Sequence, residues 1–307
     1  MDLYRLGLVS TRLEYFQAVV THGSIRRAAQ FLNVAPSVIS RSLRQLEEDL
    51  GAPLFERVRQ RLHMTSAGET LAYHAQASSR ALNQACAFID DLQGLRRGRV
   101  SVVAVESAMR GLLPDVLSAF WERHPNVSVS LRTAGSREAL EAVAAGDCDL
   151  AIAFDVRVPR NARRLAAATT HVGALLRPDH PRAGEASVRL RDFTNQHVLL
   201  ADVQLTLGRL IDELAADEGI GFQVRARTNS IDELVAFAVR GHGISFQTRL
   251  GVTPELRRGE LVFVPLQDSR LKPRRLILAA AGQGRQPEAP AALAAMLSDS
   301  VEALHEG

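Results

Sequence analysis

The stretch Ser24 to Phe55, SIRRAAQFLNVAPSVISRSLRQLEEDLGAPLF, decides the N-terminal fold. Ser24 is a good N-cap for a short helix whose inner face is Ala28, Ala29 and Leu32 and which ends near Asn33. A second helix runs from Pro36 to Leu50, because proline is tolerated in a first turn and Gly51 supplies a left-handed stop. Ile39, Leu43, Leu46 and Leu50 mark its buried side. The opposite side carries Ser37, Ser40, Arg41 and Arg44, hydroxyls and guanidiniums that reach base edges and phosphates when a helix lies in the major groove. Alone, that composition also fits a solvated helix face. The short turn Asn33-Val34-Ala35 argues otherwise, since two helices so joined match helix-turn-helix geometry.

Working outward, Leu13, Phe16, Val19 and Val20 predict an earlier amphipathic helix over about residues 11 to 21, capped by Ser10 or Thr11 and broken by Gly23. On the other side, GAPLFERVRQRLHMT (residues 51 to 65) reads as two short strands around a tip bearing Arg57, Arg59 and Arg61. Such a basic wing grips backbone beside the groove. Ser66 and Glu69 form an S-x-x-E capping box that opens a long helix to about Leu92. Its stripe of Leu71, Ala75, Ser78, Leu82, Ala85, Ile89 and Leu92 steps by four and three, the signature of helix-on-helix packing. At 1.5 Å per residue the helix spans roughly 40 Å. The stripe packs either within the chain or against a second copy, and Cys86 lies off the seam as a small passive residue.

These residues resemble the LysR-type transcriptional regulators. The matching positions are Phe16, Ser24, Ala28-Ala29, Ser40, Leu46-Glu47, Leu50-Gly51, Leu54-Phe55, Arg57, Thr65 and Gly68. Ile25-Arg26 departs from the family's more usual aromatic and small-hydroxyl pair. The resemblance implies that Pro36, Ser37, Ser40 and Arg41 approach bases or nearby phosphates, with Arg44 and the wing arginines on the backbone of double-stranded DNA. It also implies self-association through the long helix, as dimer or tetramer, and work with RNA polymerase.

After a polar hinge of Gly94, Arg96-Arg97 and Gly98, alternating strand and helix patterns begin. Strands are expected over Val100 to Val105, Val127 to Leu131 and Leu150 to Phe154, with helices over Leu112 to Trp121 and Arg137 to Ala145. A second series has strands at Val172 to Leu176, Val198 to Ala201, Val224 to Thr228 and Ile244 to Gln247. Its helices are at Leu207 to Asp217 and Ile231 to Val239. The tail adds a strand at Arg275 to Ala280 and a helix from Pro290 to Leu304. The fold class is α/β: an N-terminal winged helix-turn-helix (1–65), a linker helix (66–93) and a two-lobed effector domain (98–307). Lobe I takes about 98–168 plus 268–307, and lobe II about 169–267.

The resemblance extends here through GLLPDVLSAFWERHPNVSVSL, AAGDCDLAIA and the stretch Val239 to Ser245, and implies a domain like the periplasmic binding proteins, with a small-molecule effector, a metabolite, between its lobes. Strand-to-helix turns present free amides at a sheet's carboxyl edge. Ser107, Ser136 and Ser230 stand at three such turns, where they either only cap helices or also converge on one polar or anionic group. By resemblance Phe154, Asp202, Phe246 and Gln247 are further effector-binding candidates.

Composition limits the alternatives. With 37 Lys and Arg against 34 Asp and Glu, the net charge of +3 is compatible with nucleic-acid binding without requiring it. Lys272 is the sole lysine. Cys86 and Cys148 have no CxxC companion, which leaves no zinc motif, although a redox role for the pair stays open. Neither a leader peptide nor an apolar run of membrane length is legible, so a cytoplasmic protein without a membrane partner is expected. Gly241-His242-Gly243 follows a helix and precedes a strand, the reverse of a dinucleotide loop, and no GxSxG elbow or metal-ligand spacing occurs. No catalytic residue, metal or cofactor is therefore expected. An architectural DNA-binding protein, or an enzyme fused to a DNA-binding head, is the remaining alternative.

Overall fold

The computed structural model describes residues 6–58, 61–92, 98–154, 157–282 and 286–306. The chain divides into two compact units, Met1–Leu95 and Arg96–Gly307.

The first unit contains helices α1 (Thr11–His22), α2 (Ile25–Leu32) and α3 (Pro36–Leu50), the antiparallel strands β1 (Phe55–Val58) and β2 (Arg61–Met64), and helix α4 (Ser66–Leu92). Ser10 accepts from the Leu13 amide at the start of α1, and Ser24 from the Arg27 amide at the start of α2. Asn33 (φ 53°) ends α2 and Gly51 (φ 67°) ends α3, both in the left-handed conformation that stops a helix. Phe16, Val19, Ala28, Ala29, Ile39, Leu43 and Leu54 form the core. Two alanines facing inward let α2 approach its neighbours closely. Leu50, expected inside, is exposed, because the last turn of α3 runs beyond this core.

Two polar anchors fix the strands to the helices. Glu47 Oε1 accepts from the amides of Leu54 (2.7 Å) and Phe55 (3.1 Å), tying α3 to the start of β1. Thr65 Oγ1 donates to the Pro53 carbonyl (2.6 Å) and accepts from the Gly68 amide (3.1 Å). The Thr65 carbonyl also receives the Glu69 amide, so α4 is capped by Thr65 and not by Ser66, its first residue. Along α4 the expected stripe divides: Leu71 joins the head's core with its neighbour Ala72, while Leu82 packs with Val9 and Leu13 beside Cys86, which lies off the stripe and is buried there. Ser78, Ala85 and Ile89 stay exposed.

The second unit is two α/β lobes. Lobe I comprises β3 (Arg99–Ala104), α5 (Glu106–Gly111), α6 (Leu113–Arg123), β4 (Ser128–Thr133), α7 (Ser136–Ala145), β5 (Leu150–Phe154) and β6 (Ala162–Thr170). Lobe II comprises β7 (Val172–Leu176), β8 (His197–Ala201), α8 (Thr206–Asp217), β9 (Gln223–Thr228), α9 (Ile231–Val239), β10 (Ile244–Thr248), α10 (Thr253–Arg257) and β11 (Val262–Pro265). The chain then returns to lobe I as β12 (Arg274–Ala281) and α11 (Glu288–Glu302). Lobe I's sheet runs β4-β3-β5-β12-β6 and lobe II's β11-β7-β10-β8-β9. In each, three parallel strands meet antiparallel ones. β5, β7 and β10 are buried at every position, as strands covered on both faces must be.

Two strands were not legible from sequence. β6, with the sequence ARRLAAATT, lacks the β-branched run that marks a strand, and β11 is only four residues long. The helix expected over Leu112 to Trp121 is α6, and the short α5 that precedes it, parted from it at Leu112, was not expected.

Candidate nucleic-acid interface and interlobe site

A concave surface of about 880 Å³ lies on the first unit, lined by Gly23, Ser24, Ile25, Arg26 and Arg27 at the start of α2, Pro36, Ser37 and Ser40 at the start of α3, and Leu62 and His63 of β2. Among the described residues no acidic side chain lines it. The N-cap of α3 is Ala35, which supplies no side-chain acceptor, so the first amides of α3 are offered to whatever enters. Ser37, Arg41 and Arg44 are exposed and Ser40 is half-buried, all on the side of α3 away from Ile39 and Leu43. Of the wing arginines, Arg59 and the side chains of Arg57 and Arg61 lie outside the described residues. Arg26, Arg27 and His63 were missed from sequence. Periodicity sorts residues on one helix, whereas this surface is assembled from three elements.

Between the lobes the three serines do not behave alike. Ser230 caps α9 by accepting from the Glu233 amide. Ser107 lies inside α5, whose N-cap is Val105, and is almost fully buried against the Gly251 backbone. Ser136 is the first residue of α7, after the N-cap Gly135, and its hydroxyl accepts from the Phe154 amide (3.0 Å). Capping by Ser107 and Ser136 is therefore corrected: α5 begins two residues, and α7 one residue, earlier than those serines would require.

Phe154 ends β5, buried beneath the Arg274 guanidinium, which stands 5.6 Å from its ring centroid. Phe246 is buried in the core of lobe II against Phe193 and Phe222, so its ring is committed to packing. Gln247, adjacent on β10, is buried on the opposite face of that strand. Asp202 follows β8 and turns its carboxylate to the Gln204 amide (2.8 Å) in its own loop.

A group that sequence did not single out fills the place where the serines were expected to converge. Glu106 Oε1, at the start of α5, accepts from the amides of Ile231 (2.7 Å) and Asp232 (3.3 Å) at the start of α9. Arg110, one turn along, reaches Asp232, the Gly251 carbonyl and Glu255 Oε1. These partners are 122 to 145 residues distant in sequence and carry no local signal.

Other reactive groups are muted. Burial, aided by Asp149, pushes the Cys148 thiol up to about 12, so it stays protonated at neutral pH. Among the described residues no cluster of three or more His, Cys, Asp or Glu could hold a metal ion. No described helix is long and apolar enough to cross a membrane. A second depression, about 630 Å³, lies at the opposite end of lobe II's sheet, lined in part by His180, Gln196, His197 and Arg177, whose guanidinium is held by Asp179 and the Val239 carbonyl.

Comparison with known proteins agrees with both units. Residues 10–69 match the family model of the bacterial regulatory helix-turn-helix protein, lysR family, and residues 93–302 match the LysR substrate binding domain. A probable RuBisCO transcriptional regulator of Trichormus variabilis is 27% identical over 267 residues, covering 85% of this chain and 79% of its own. Its counterpart in Cyanophora paradoxa is 26% identical over 279 residues, covering 89% of this chain and 86% of its own. Two solved structures share the fold. A full-length OxyR variant from Pseudomonas aeruginosa has a TM-score of 0.65 at 19% identity, covering 95% of this chain and 94% of that one. Full-length CbnR in complex with its target DNA has a TM-score of 0.63 at 20% identity, covering 98% and 100%. The enzyme alternative falls away, because the matched families and relatives are transcriptional regulators. With its helix-turn-helix and its α/β effector-binding domain both accounted for, this chain belongs to the LysR family of DNA-binding transcriptional regulators.

Proposed function

We propose that the chain is a cytoplasmic, sequence-specific regulator whose grip on a promoter is set by a small metabolite held between lobes I and II. The observation that carries this reading is the concave surface at the starts of α2 and α3, lined among the described residues by hydroxyl and basic groups and by no acid. There Pro36, Ser37 and Ser40 of its lining, with Arg41 beside them on α3, meet base edges or nearby phosphates, and Arg44, Arg57, Arg59 and Arg61 hold backbone. The working division is head 1–65, linker 66–93 and effector domain 98–307. Two or four copies pair through α4, whose exposed Ile89, Ala85 and Ser78 are the free part of its stripe. RNA polymerase is the downstream partner.

The effector is held by the strand ends and turns carrying Ser107, Ser136, Phe154, Asp202, Ser230, Phe246 and Gln247, the buried members shaping the site from behind. A ligand shifts only an equilibrium whose states it binds differently. Here it changes how the lobes close, and with them the spacing of paired heads on a bent duplex.

The test is a salt-dependent binding series on selected genomic fragments. Ser40→Ala is expected to relax discrimination between sites, whereas Arg59→Ala weakens binding to every sequence and lowers the log–log salt slope by roughly one unit. Identical effects of the two changes, or no site preference in the unaltered protein, would overturn the reading.

A further inference from the structure

Two side chains of the six-residue α5, Glu106 and Arg110, reach across to the other lobe. Glu106 supplies a carboxylate to the start of α9, where Ile231 and Asp232 donate their amides and Ser230 Oγ donates at 3.4 Å. Four residues on, and so on the same face, Arg110 divides its guanidinium between the Asp232 carboxylate, the Gly251 carbonyl and Glu255 Oε1 (3.1 Å). The Arg110 and Glu255 side chains are only 14% and 7% exposed, so that pair forms largely out of water, where it is strong, whereas Asp232 is 72% exposed and its bond to Arg110 is weaker. The backbones also meet: a Cβ on Gly111 would stand 1.7 Å from the Leu250 carbonyl oxygen. Of the acids on α9 itself, Asp232 is taken by Arg110 and Glu233 by the Thr228 hydroxyl (2.7 Å), which leaves the helix start to Glu106.

We propose that α5 is a latch between the lobes and that Glu106 is a resident anion in the effector site, barring the α9 amides to any carboxylate or phosphate ligand that does not first displace it. The claim rests on the reading of the interlobe region as the effector site and adds to it a residue that determines specificity. Helix starts attract anions through free amides and the helix dipole. In this chain that attraction is spent on the other lobe. A ligand carrying a neutral or cationic group enters with the latch shut, whereas an anionic one trades places with Glu106 and in doing so releases one side of the lobe contact.

The experiment is amide hydrogen exchange on the full chain, comparing the unaltered protein with Glu106→Ala and Glu106→Gln, with and without acetate as a small carboxylate probe. Glu106→Ala is expected to speed exchange at Ile231 and Asp232 by roughly tenfold or more, since two bonds to a charged acceptor are lost. Acetate should restore the protection in Glu106→Ala and do nothing in the unaltered protein. Glu106→Gln keeps an acceptor oxygen without the charge, so a rise of about threefold, insensitive to acetate, is expected, and this variant serves if the alanine form does not fold. Unchanged exchange in both variants, or acetate protection of equal size in the unaltered chain, would overturn the proposal. The readout needs no known effector and no DNA. It therefore separates failure of the latch from failure of the effector reading, which would show instead as footprints indifferent to metabolites.

Discussion

Replacing Glu47 by alanine should loosen the wing while leaving the effector lobes untouched. Its carboxylate receives two backbone amides, those of Leu54 at 2.7 Å and Phe55 at 3.1 Å. A hydrogen bond to a charged group contributes about 1.5–3 kcal/mol. Leu54 is 1% exposed, so its amide finds no water when the acceptor goes, whereas Phe55 is half-buried and recovers part of its loss by hydration. Weighting the first bond fully and the second lightly gives about 2–3 kcal/mol. At 1.4 kcal/mol per decade that is an exchange rate at the Leu54 amide about 30- to 140-fold faster than in the unaltered protein. Because β1 leads directly into the wing, affinity for a DNA fragment at fixed salt should fall with it. Glu47→Gln, which keeps one acceptor, should recover more than half of both effects. If Glu47→Ala exchanges at the original rate and binds DNA with the original affinity, the anchoring role is wrong.

Three further outcomes are expected. Gly68→Ala places a Cβ 2.2 Å from the Leu54 carbonyl oxygen, so β1 and α4 must part. Such overpacking costs about 1–3 kcal/mol, read as a lower denaturation midpoint of the head. Burial raises the Asp268 carboxyl above the ordinary carboxylate range, against the pull of the Leu190 amide at 3.1 Å. A raised folded pKa means that ionising this group weakens the fold at neutral pH and that the penalty disappears once pH falls below the unfolded value. Asp268→Asn should therefore stabilise the effector domain in urea near pH 7, with the gain vanishing by about pH 3, below the unfolded carboxyl pKa of ~3.9. An equal gain at both pH values would contradict the assignment. Finally, Ile39→Ala, at a fully buried position between the head's helices, should cost about 2–5 kcal/mol and abolish DNA binding at growth temperature. Retained binding with an unchanged midpoint would show that the head does not depend on that contact.

The head was the most legible part of the sequence because its signals are local. Ser24, Pro36 and Gly51 punctuate helices within a few residues of where they stand, and Ala28 and Ala29 stand one helical turn before Leu32. The α/β lobes were legible wherever a strand is a continuous apolar run, as in LAIAF or VGALL. β6 escaped because its sequence, two adjacent arginines and a run of alanines, lacks a β-branched or alternating pattern, and what makes it a strand is pairing with β12, over a hundred residues later. The candidate sites divide in the same way. Positions on one face of α3 could be picked out, but the surface uniting Arg26 with His63, and the bonds of Glu106 and Arg110 to lobe II, exist only once distant segments are brought together. Helix-capping rules placed Ser230 correctly and missed by one residue at Ser136 and Ser66, where glycine and threonine hold the cap positions, and by two at Ser107, where Val105 does.

The place of β12 bears on how the protein is made. It sits between β5 and β6 in lobe I's sheet, yet is translated only after the whole of lobe II. A nascent chain emerging from the ribosome can finish its head early and close lobe II next, while lobe I waits with β5 and β6 unjoined and their apolar edges bare. Chaperone demand should thus fall on the oldest part of the effector domain, and truncated translation products lacking the final strand and helix should be the ones that aggregate.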